Sequence, residues 1–540
     1  MVHVGGEEGH AAAAVLRHRR DDRVGRIEHG YAVVLQDVRG RFASEGRFDP
    51  FRQERADGVD AIAWVAEQPW SDGTVGMYGG SYFGATQLLA AVEAPPALRA
   101  ITPVVTASEY YDGWTYQGGA FQLGFVLYWA LTALAPAEIL RRPEHDRPRL
   151  EALLAEALAA PWETYRRLPL SDLGGLEELI PYYADWLAHD TRDAYWRETA
   201  PNERYEEVAA PALHVGGWYD IFAAGTIENF VRLRTEAATD EARSGQRLLV
   251  GPWSHASYGD VIGDVEFGAA AAWDALDTTA WHLGWFDEHL RGAETDAAPV
   301  RIFLMGANTW LDEPCWPPPG VTLEEWHLHS GGGAATAEGT LSRTAPGDEK
   351  PDTFVYDPAD PVPTHGGATI LPGFLVGRRT GPLDQRSLET RPDVLVYTSA
   401  PLVQDIDIVG SVEAVLHVST LGADTDFTAK LVEVRPDGCA YLVCDGIRAL
   451  RHRDSLEHTS AVRPGEIYEL TVSLGPTATR FLQGHRIRLE VSSSNFPRFA
   501  RNPNSGVLPT RATYADLMPA RQAVHHDTAH PSRLVLPVRR

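Results

Sequence analysis

The order of apolar and polar positions divides the chain into three stretches of different texture. In the first hundred residues, short β-branched runs alternate with segments of helical spacing, the pattern of an α/β domain built on a parallel sheet. Tyr31–Val38 reads as a buried strand, Thr74–Tyr78 as a second and Ala100–Val105 as a third. Arg55–Ala66, with Val59, Ile62, Ala63 and Ala66 at helical spacing, and Ala85–Glu93, closed by Pro95-Pro96, read as helices. From about Glu109 to Tyr205 the period is helical, as in LEALLAEALAA from Leu150, and no strand is clear. Strand texture returns at Ala212–Val215 and Arg247–Val250, followed by a helix over Ala272–Leu290. Prolines and turn residues then cluster between Gly306 and Pro319 and mark a boundary. Beyond it come short alternating strands at Val394–Tyr397, Val412–Val418, Phe427–Val434, Ala440–Val443, Ile467–Leu474 and Arg486–Val491, which predict an all-β sandwich. The expected organisation is an α/β core from residues 1–108 and 206–305, a helical cap over 109–205, and a β sandwich over 320–540.

Composition narrows the function. A chain of 540 residues, 44% hydrophobic and 23% charged, is soluble-globular in type and too long for one core. With 48 basic against 74 acidic residues the net charge is −26, a field that repels phosphate backbones and anionic lipid, so nucleic-acid and membrane partners are not expected. The two lysines, Lys350 and Lys430, sit in no motif suited to a Schiff base or a Ser–Lys pair, and no Gly-Lys dipeptide exists for a phosphate loop. Three cysteines make no disulfide framework for this length. No secretory h-region opens the chain, and no apolar run approaches eighteen residues, so a cytoplasmic protein with no membrane span is expected. The Ala- and Arg-rich bias points to a high-GC bacterial genome.

The sharpest chemical signal is Thr74-Val-Gly-Met-Tyr-Gly79-Gly80-Ser81-Tyr82-Phe83-Gly84: a strand, a tight glycine turn, a serine, then a helix. Such a bend exposes a serine hydroxyl above a sheet, and the Tyr82 backbone N–H at the helix start would face a developing oxyanion. The usual pattern puts glycine two residues after the serine, where Phe83 stands here; taken alone, the motif is equally a Gly-Ser turn without chemistry. A base and an orienting carboxylate are supplied in the order this fold uses. Asp220 ends the strand and turn of Ala212–Asp220, and His255 follows the strand of Arg247–His255. All three side chains lie just past strand ends, where open α/β sheets place their sites.

These segments resemble the cocaine esterase / X-Pro dipeptidyl-peptidase-like (CocE/NonD) hydrolases. The resemblance rests on Gly79–Gly84, Gly217-Trp-Tyr-Asp220 and Gly251-Pro-Trp-Ser-His255, with Asp37-Val-Arg-Gly40, Ser44-Glu-Gly46 and Ser492-Ser-Ser-Asn-Phe-Pro497 in support. It implies an α/β-hydrolase core with an inserted helical cap and a C-terminal jelly-roll of the galactose-binding-like type. Ser81 would be the nucleophile, His255 the general base, Asp220 its orienting carboxylate and the Tyr82 N–H an oxyanion donor, with no cofactor and no metal. Ile221, Phe222 and Ala223 follow the catalytic Asp, where the α-amino acid ester hydrolases carry carboxylates for an ammonium group. The match is therefore to the cocaine-esterase side, where Trp114, Trp129 and Phe222 would line an apolar or aromatic acyl pocket, although the two tryptophans could equally be cap core.

One departure stands out. Family members carry further strands before the equivalent of Tyr31–Val38, and a tyrosine whose hydroxyl serves the oxyanion. Here about thirty residues precede Tyr31 and contain no tyrosine. The expectation is a core sheet without its leading strands and an activity weakened accordingly. The expected function is hydrolysis of a small ester or amide through an acyl-enzyme, with a homodimer as one possible assembly. The alternatives are an X-Pro dipeptidyl-peptidase, and an inactive carbohydrate-binding protein using the jelly-roll. Weaker signals are His327-Leu-His329 as a metal pair, Asp424-Thr-Asp426 as a calcium loop or capped turn, and the stretch Gly366–Phe374 as a loop reaching the pocket.

Overall fold

The computed structural model describes residues 11–15, 29–371 and 380–540, the first five by their backbone. The core sheet has eight strands: β1 Ala11–Val15, β2 Ala32–Val34, β3 Ser71–Gly80, β4 Leu98–Val104, β5 Leu213–Tyr219, β6 Arg247–Ser254, β7 Val300–Leu304 and β8 Thr309–Glu313. Their order is β8-β7-β6-β5-β4-β3-β1-β2, parallel throughout except for the terminal β7–β8 hairpin. Parallel strands covered on both faces read as near-continuous apolar runs, and β5 is buried over its whole length. On one face Val75, Met77 and Ile101 pack with Ile62 and Leu88 of the helices Glu54–Ala66 and Tyr82–Ala91. On the other, Tyr78, Val104 and Val215 pack with Leu283 and Phe286 of the helix Thr278–Arg291.

Two expectations are corrected here. A strand does precede Tyr31: β1 lies between β2 and β3 and pairs in parallel with both, so three strands rather than two lead to the nucleophile turn. Four alanines carry almost no strand signal in a sequence, and the neighbours supply the pairing. The core also runs past its expected end at residue 305: β8 lies inside the boundary stretch Gly306–Pro319 and closes the core sheet by pairing antiparallel with β7.

Between β4 and β5 lies a largely helical insertion with one short hairpin, Tyr116–Gln117 with Ala120–Phe121. Its longest helix runs from Leu123 to Arg141 and is long and apolar enough to cross a membrane, contrary to the expectation that no segment would be. Most of it is buried within the cap, whose interior it fills, and that burial accounts for its apolar composition. The C-terminal region is β-rich. Eleven strands share one hydrogen-bonded network around a core that includes Trp326, Leu395, Leu416, Phe427 and Leu489. Its central strand Ile406–Thr420 pairs with Tyr468–Phe481, Ala520–His525 and Arg533–Arg539, all antiparallel.

Candidate active site

The site is assembled at the carboxyl ends of β3, β5 and β6. Ser81 follows β3 at φ 59°, an unfavourable region for a residue with a Cβ, and its N–H is held by the Val104 carbonyl at 2.8 Å. Two glycines make the bend possible. A Cβ at Gly79, whose φ is 152°, would lie 2.6 Å from the Phe83 Cβ, and one at Gly84 would lie 2.8 Å from the Thr106 Cβ. Gly84 thus lets the helix close on the segment after β4, which explains why glycine stands three rather than two residues past the serine. Tyr82 opens that helix, so its N–H has no carbonyl one turn earlier to bond.

The other two elements depend on a paired close approach. A Cβ at Gly217 would meet the Trp253 carbonyl oxygen at 2.3 Å, and one at Gly251 would meet the Trp253 indole at 2.4 Å. The glycines of both motifs therefore make room for one tryptophan, itself anchored by its Nε1–H on the Ala271 carbonyl at 2.8 Å. Asp220, one residue past β5, is fully buried and accepts the Phe222 N–H at 2.6 Å on Oδ1. Its Oδ2 lies 2.7 Å from His255 Nδ1, and His255 Nε2 lies 3.1 Å from Ser81 Oγ. Since a carboxylate only accepts, Nδ1 carries the proton and Nε2 is free to receive one from the serine.

These groups open on a cavity of about 840 Å³ lined by Ser81, His255 and Trp129 together with Arg41, Phe42, Phe48, Phe83, Tyr258 and Trp273. Of the three aromatics expected to bind substrate, Trp129 is on the wall. Trp114 and Phe222 are 1% exposed and stand behind it. Phe222 meets the His255 ring edge-on at 5.3 Å, and Trp114 stacks on Phe222 at 4.4 Å, so their faces are already occupied. Ile370 joins the large apolar cluster of the cap, and Leu371 packs beside Gly124 of its long helix; the described part of the stretch from Gly366 does not line the cavity, and Phe374 lies outside the described residues. The stretch before β2 that would carry the family's oxyanion hydroxyl holds no tyrosine, and its residues 16–28 also lie outside the described residues.

Sequence reasoning missed two neighbours of the triad. Tyr82 gives its hydroxyl to buried Glu54 and accepts the Phe51 N–H at 3.2 Å, which fixes the residue that carries the oxyanion donor. Burial, opposed by that hydroxyl bond, pushes the Glu54 carboxyl up to about 7. Arg41 is buried in the cavity wall without a carboxylate partner among the described residues. A Glu beginning a helix and one Arg in an Arg-rich loop give no sequence signal of this kind.

The supporting motifs hold the site from outside. In the Asp37–Gly46 turn, Ser44 Oγ donates to the Asp37 carbonyl at 2.6 Å and the Gly40 N–H to the Glu45 carbonyl at 2.8 Å. In the C-terminal motif, Asn495 donates to Asp445 at 3.0 Å, as does Arg498 at 2.6 Å; Arg498 also reaches Gln117 of the cap at 3.1 Å. Among the described residues no group of three or more His, Cys, Asp or Glu could hold a metal ion. His329 bonds Glu349 at 2.8 Å, and the Asp424–Asp426 pair is bridged by Asn502 and held by Arg451 as a buried ion pair rather than a turn cap.

Residues 8–257 match the model of the X-Pro dipeptidyl-peptidase (S15 family), and residues 292–535 that of the X-Pro dipeptidyl-peptidase C-terminal non-catalytic domain. The chain is 41% identical over 525 residues to the cocaine esterase of Rhodococcus sp. (strain MB1 Bresler), covering 95% of this chain and 89% of that one. This chain belongs to the CocE/NonD family of serine hydrolases. An α-amino acid ester hydrolase superposes with a TM-score of 0.79 at 25% identity, covering 98% of this chain and 92% of its own. An aminopeptidase from a marine sediment archaeon, Thaumarchaeota archaeon, shares the fold at a TM-score of 0.81 and 24% identity over the same shares. As a serine hydrolase of this family, the chain has an α/β-hydrolase core and a β-rich C-terminal domain.

Proposed function

We propose that this chain is a carboxylesterase of the acyl-enzyme type, acting on small esters with an apolar or aromatic acyl group. The observation that carries the reading is the continuous hydrogen-bonded line from Ser81 Oγ through His255 to buried Asp220, opening on an aromatic-walled cavity. Ser81 Oγ attacks the ester carbonyl carbon while His255 Nε2 takes its proton. The oxyanion forms beside the Tyr82 N–H, and Asp220 stabilises the imidazolium. Collapse breaks the bond to the alcohol, which leaves with the proton from His255. Water, deprotonated by His255, then attacks the acyl-enzyme and releases the acid. The C-terminal domain, read as a jelly-roll, packs on the cap through Ile370 and Leu371.

A second reading, an X-Pro dipeptidyl-peptidase, draws on Asp274, which lines the same cavity and could meet a substrate's α-ammonium group. Turnover of p-nitrophenyl benzoate compared with an Xaa-Pro anilide separates the two. The esterase reading expects the benzoate to be preferred, with both activities and fluorophosphonate labelling lost in Ser81→Ala. Preference for the anilide overturns it in favour of the peptidase. Unlabelled Ser81 with saturable sugar binding overturns both in favour of a carbohydrate-binding protein.

A further inference from the structure

The helix that carries Trp129 is not regular. Leu123–Trp129 and Ala135–Arg141 are α-helical, and the turn Ala130–Leu134 between them is a π turn. A π turn holds one residue too many for the ordinary ladder, and such turns gather at functional sites. Arg41 supplies two donors from the loop after β2. Its Nη2 donates to the Ala133 carbonyl at 2.7 Å and its Nη1 to the Leu134 carbonyl at 2.8 Å.

Three further features separate this contact from an ordinary surface arginine. The side chain is 6% exposed, and its guanidinium lies 5.0 Å from the Phe48 ring centroid and 5.6 Å from that of Phe42. A buried charge held by carbonyls and ring faces is costly, and burial lowers the affinity of this guanidinium for its proton. Its two partners, Ala133 and Leu134, line the catalytic cavity with Trp129 and with Arg41 itself. Trp129 is in turn stacked on Trp186 at 5.8 Å and lies 5.9 Å from the Tyr82 ring, so the turn, the indole and the residue after the nucleophile form one packed unit.

We infer that Arg41 is a specificity-determining positioning residue. By tying the π turn of the cap to the core loop it fixes the wall formed by Trp129, Ala133 and Leu134, and so sets the room for a bulky acyl group. A planar fork can hold two carbonyls at once, whereas a lysine ammonium offers a point charge on a flexible stem. The inference rests on the esterase reading above and adds the residue that tunes its acyl preference.

The test compares p-nitrophenyl benzoate with p-nitrophenyl acetate on the full chain and on Arg41→Lys, Arg41→Leu, Trp129→Leu and the double variant Arg41→Lys/Trp129→Leu. Rates are expressed per Ser81 titrated with a fluorophosphonate, so that unfolded protein is not counted. Arg41→Lys and Arg41→Leu are expected to lower the benzoate-to-acetate ratio of kcat/KM about ten-fold, the scale at which a pocket discriminates acyl groups, with most of the loss in KM. In the Trp129→Leu background Arg41→Lys is expected to move that ratio less than about two-fold, because the two residues act as a unit. A ratio unchanged in both Arg41 variants, or a change of equal size with and without Trp129, overturns the inference and leaves the esterase reading standing. Failure of the unaltered chain to cleave either ester overturns both.

Discussion

The two sides of the catalytic cavity are held by different physics. On the core side, Ser81, Asp220 and His255 sit at strand ends whose shape is set by backbone hydrogen bonds and by four glycines, each standing where a Cβ would collide. On the cap side, the wall hangs on rings in contact from Trp186 through Trp129 and Trp114 to Phe222, stacked at both ends and edge-to-face between Trp129 and Trp114, and on one buried guanidinium bonded to two carbonyls. The first arrangement permits little adjustment and fixes the chemistry. The second is held by side-chain packing, and under the proposal above it sets which acyl group enters. Changes at the three triad residues should abolish turnover while leaving the fold intact, and changes among the cap-side rings should weaken the fold or shift acyl preference while leaving Ser81 reactive.

The largest effect expected is on the core side. Ser81→Ala should lower kcat by about 10⁶-fold and Asp220→Asn by about 10⁴-fold, the scale of triad removal elsewhere. The thermal midpoint of Ser81→Ala should match that of the unaltered chain, since alanine keeps the Cβ at the φ of 59° and loses only the Oγ bond to His255. Ester turnover read beside a melting curve checks both. A midpoint that falls with activity would mean that the serine turn supports the fold rather than the chemistry.

On the cap side Trp114→Ala should cost about 3–5 kcal/mol of stability, the range for deleting a fully buried aromatic. Its indole touches Phe51, Tyr110, Phe125, Trp129 and Phe222, and no neighbour is free to fill the space. Folded molecules at low temperature should still label at Ser81. Loss of labelling in a cooperatively folded Trp114→Ala would break the separation between the two sides.

The core side was legible in the sequence and the cap wall was not, for the same physical reason. Glycines, a strained serine and strand-end acids are local features with fixed spacing, so Ser81, Asp220 and His255 could be named before any coordinates. The cavity wall is built from residues far apart in sequence. Arg41 meets Ala133 and Leu134 across 92 and 93 positions, and nothing near Arg41 marks that partnership. Trp114 and Phe222 announced themselves as aromatics beside the site, but only packing decides that they stand behind the wall rather than on it. In the core sheet the polyalanine β1 was invisible because pairing, not propensity, makes it a strand. In the C-terminal region Asp352–Tyr356, Ala520–His525 and Arg533–Arg539 are likewise fixed by their partners.

A pH-dependent effect sharpens the comparison where the two sides meet. Burial raises the Glu54 carboxyl from its ordinary 4.5 to about 7, against the bonds from Tyr82 and the backbone. The folded state then binds this proton more tightly than the unfolded state, so the contribution to stability is fully present below about pH 4.5 and is lost as pH rises to about 7. The stability lost across that window is about 3 kcal/mol. Glu54→Gln cannot ionise, so its stability relative to the unaltered chain should climb across that window, as followed by urea unfolding at half-unit steps of pH. A difference that stays flat from pH 4 to pH 8 would mean that Glu54 is not buried as a carboxyl beside Tyr82.

The smallest effect probes the departure from the usual nucleophile turn. In this chain the space above the bend is shared differently: a Cβ at Gly79 would lie 2.6 Å from the Phe83 Cβ, and one at Gly84 would lie 2.8 Å from the Thr106 Cβ. Gly84→Ala should therefore cost about 1–3 kcal/mol, the range for overpacking a filled site, and should slow fluorophosphonate labelling by pushing the helix start and the Tyr82 N–H away from the strand end. Phe83→Gly restores the usual spacing but removes the side chain that fills the space below Gly79, and it places a second flexible residue at the helix start. It should lower the thermal midpoint rather than raise it. If Phe83→Gly proves more stable and labels faster than the unaltered chain, the turn obeys the common pattern and Gly84 is only a packing residue. If Gly84→Ala is the damaging change, the bend that exposes Ser81 is framed by Gly79 and Gly84, with Phe83 as its filler.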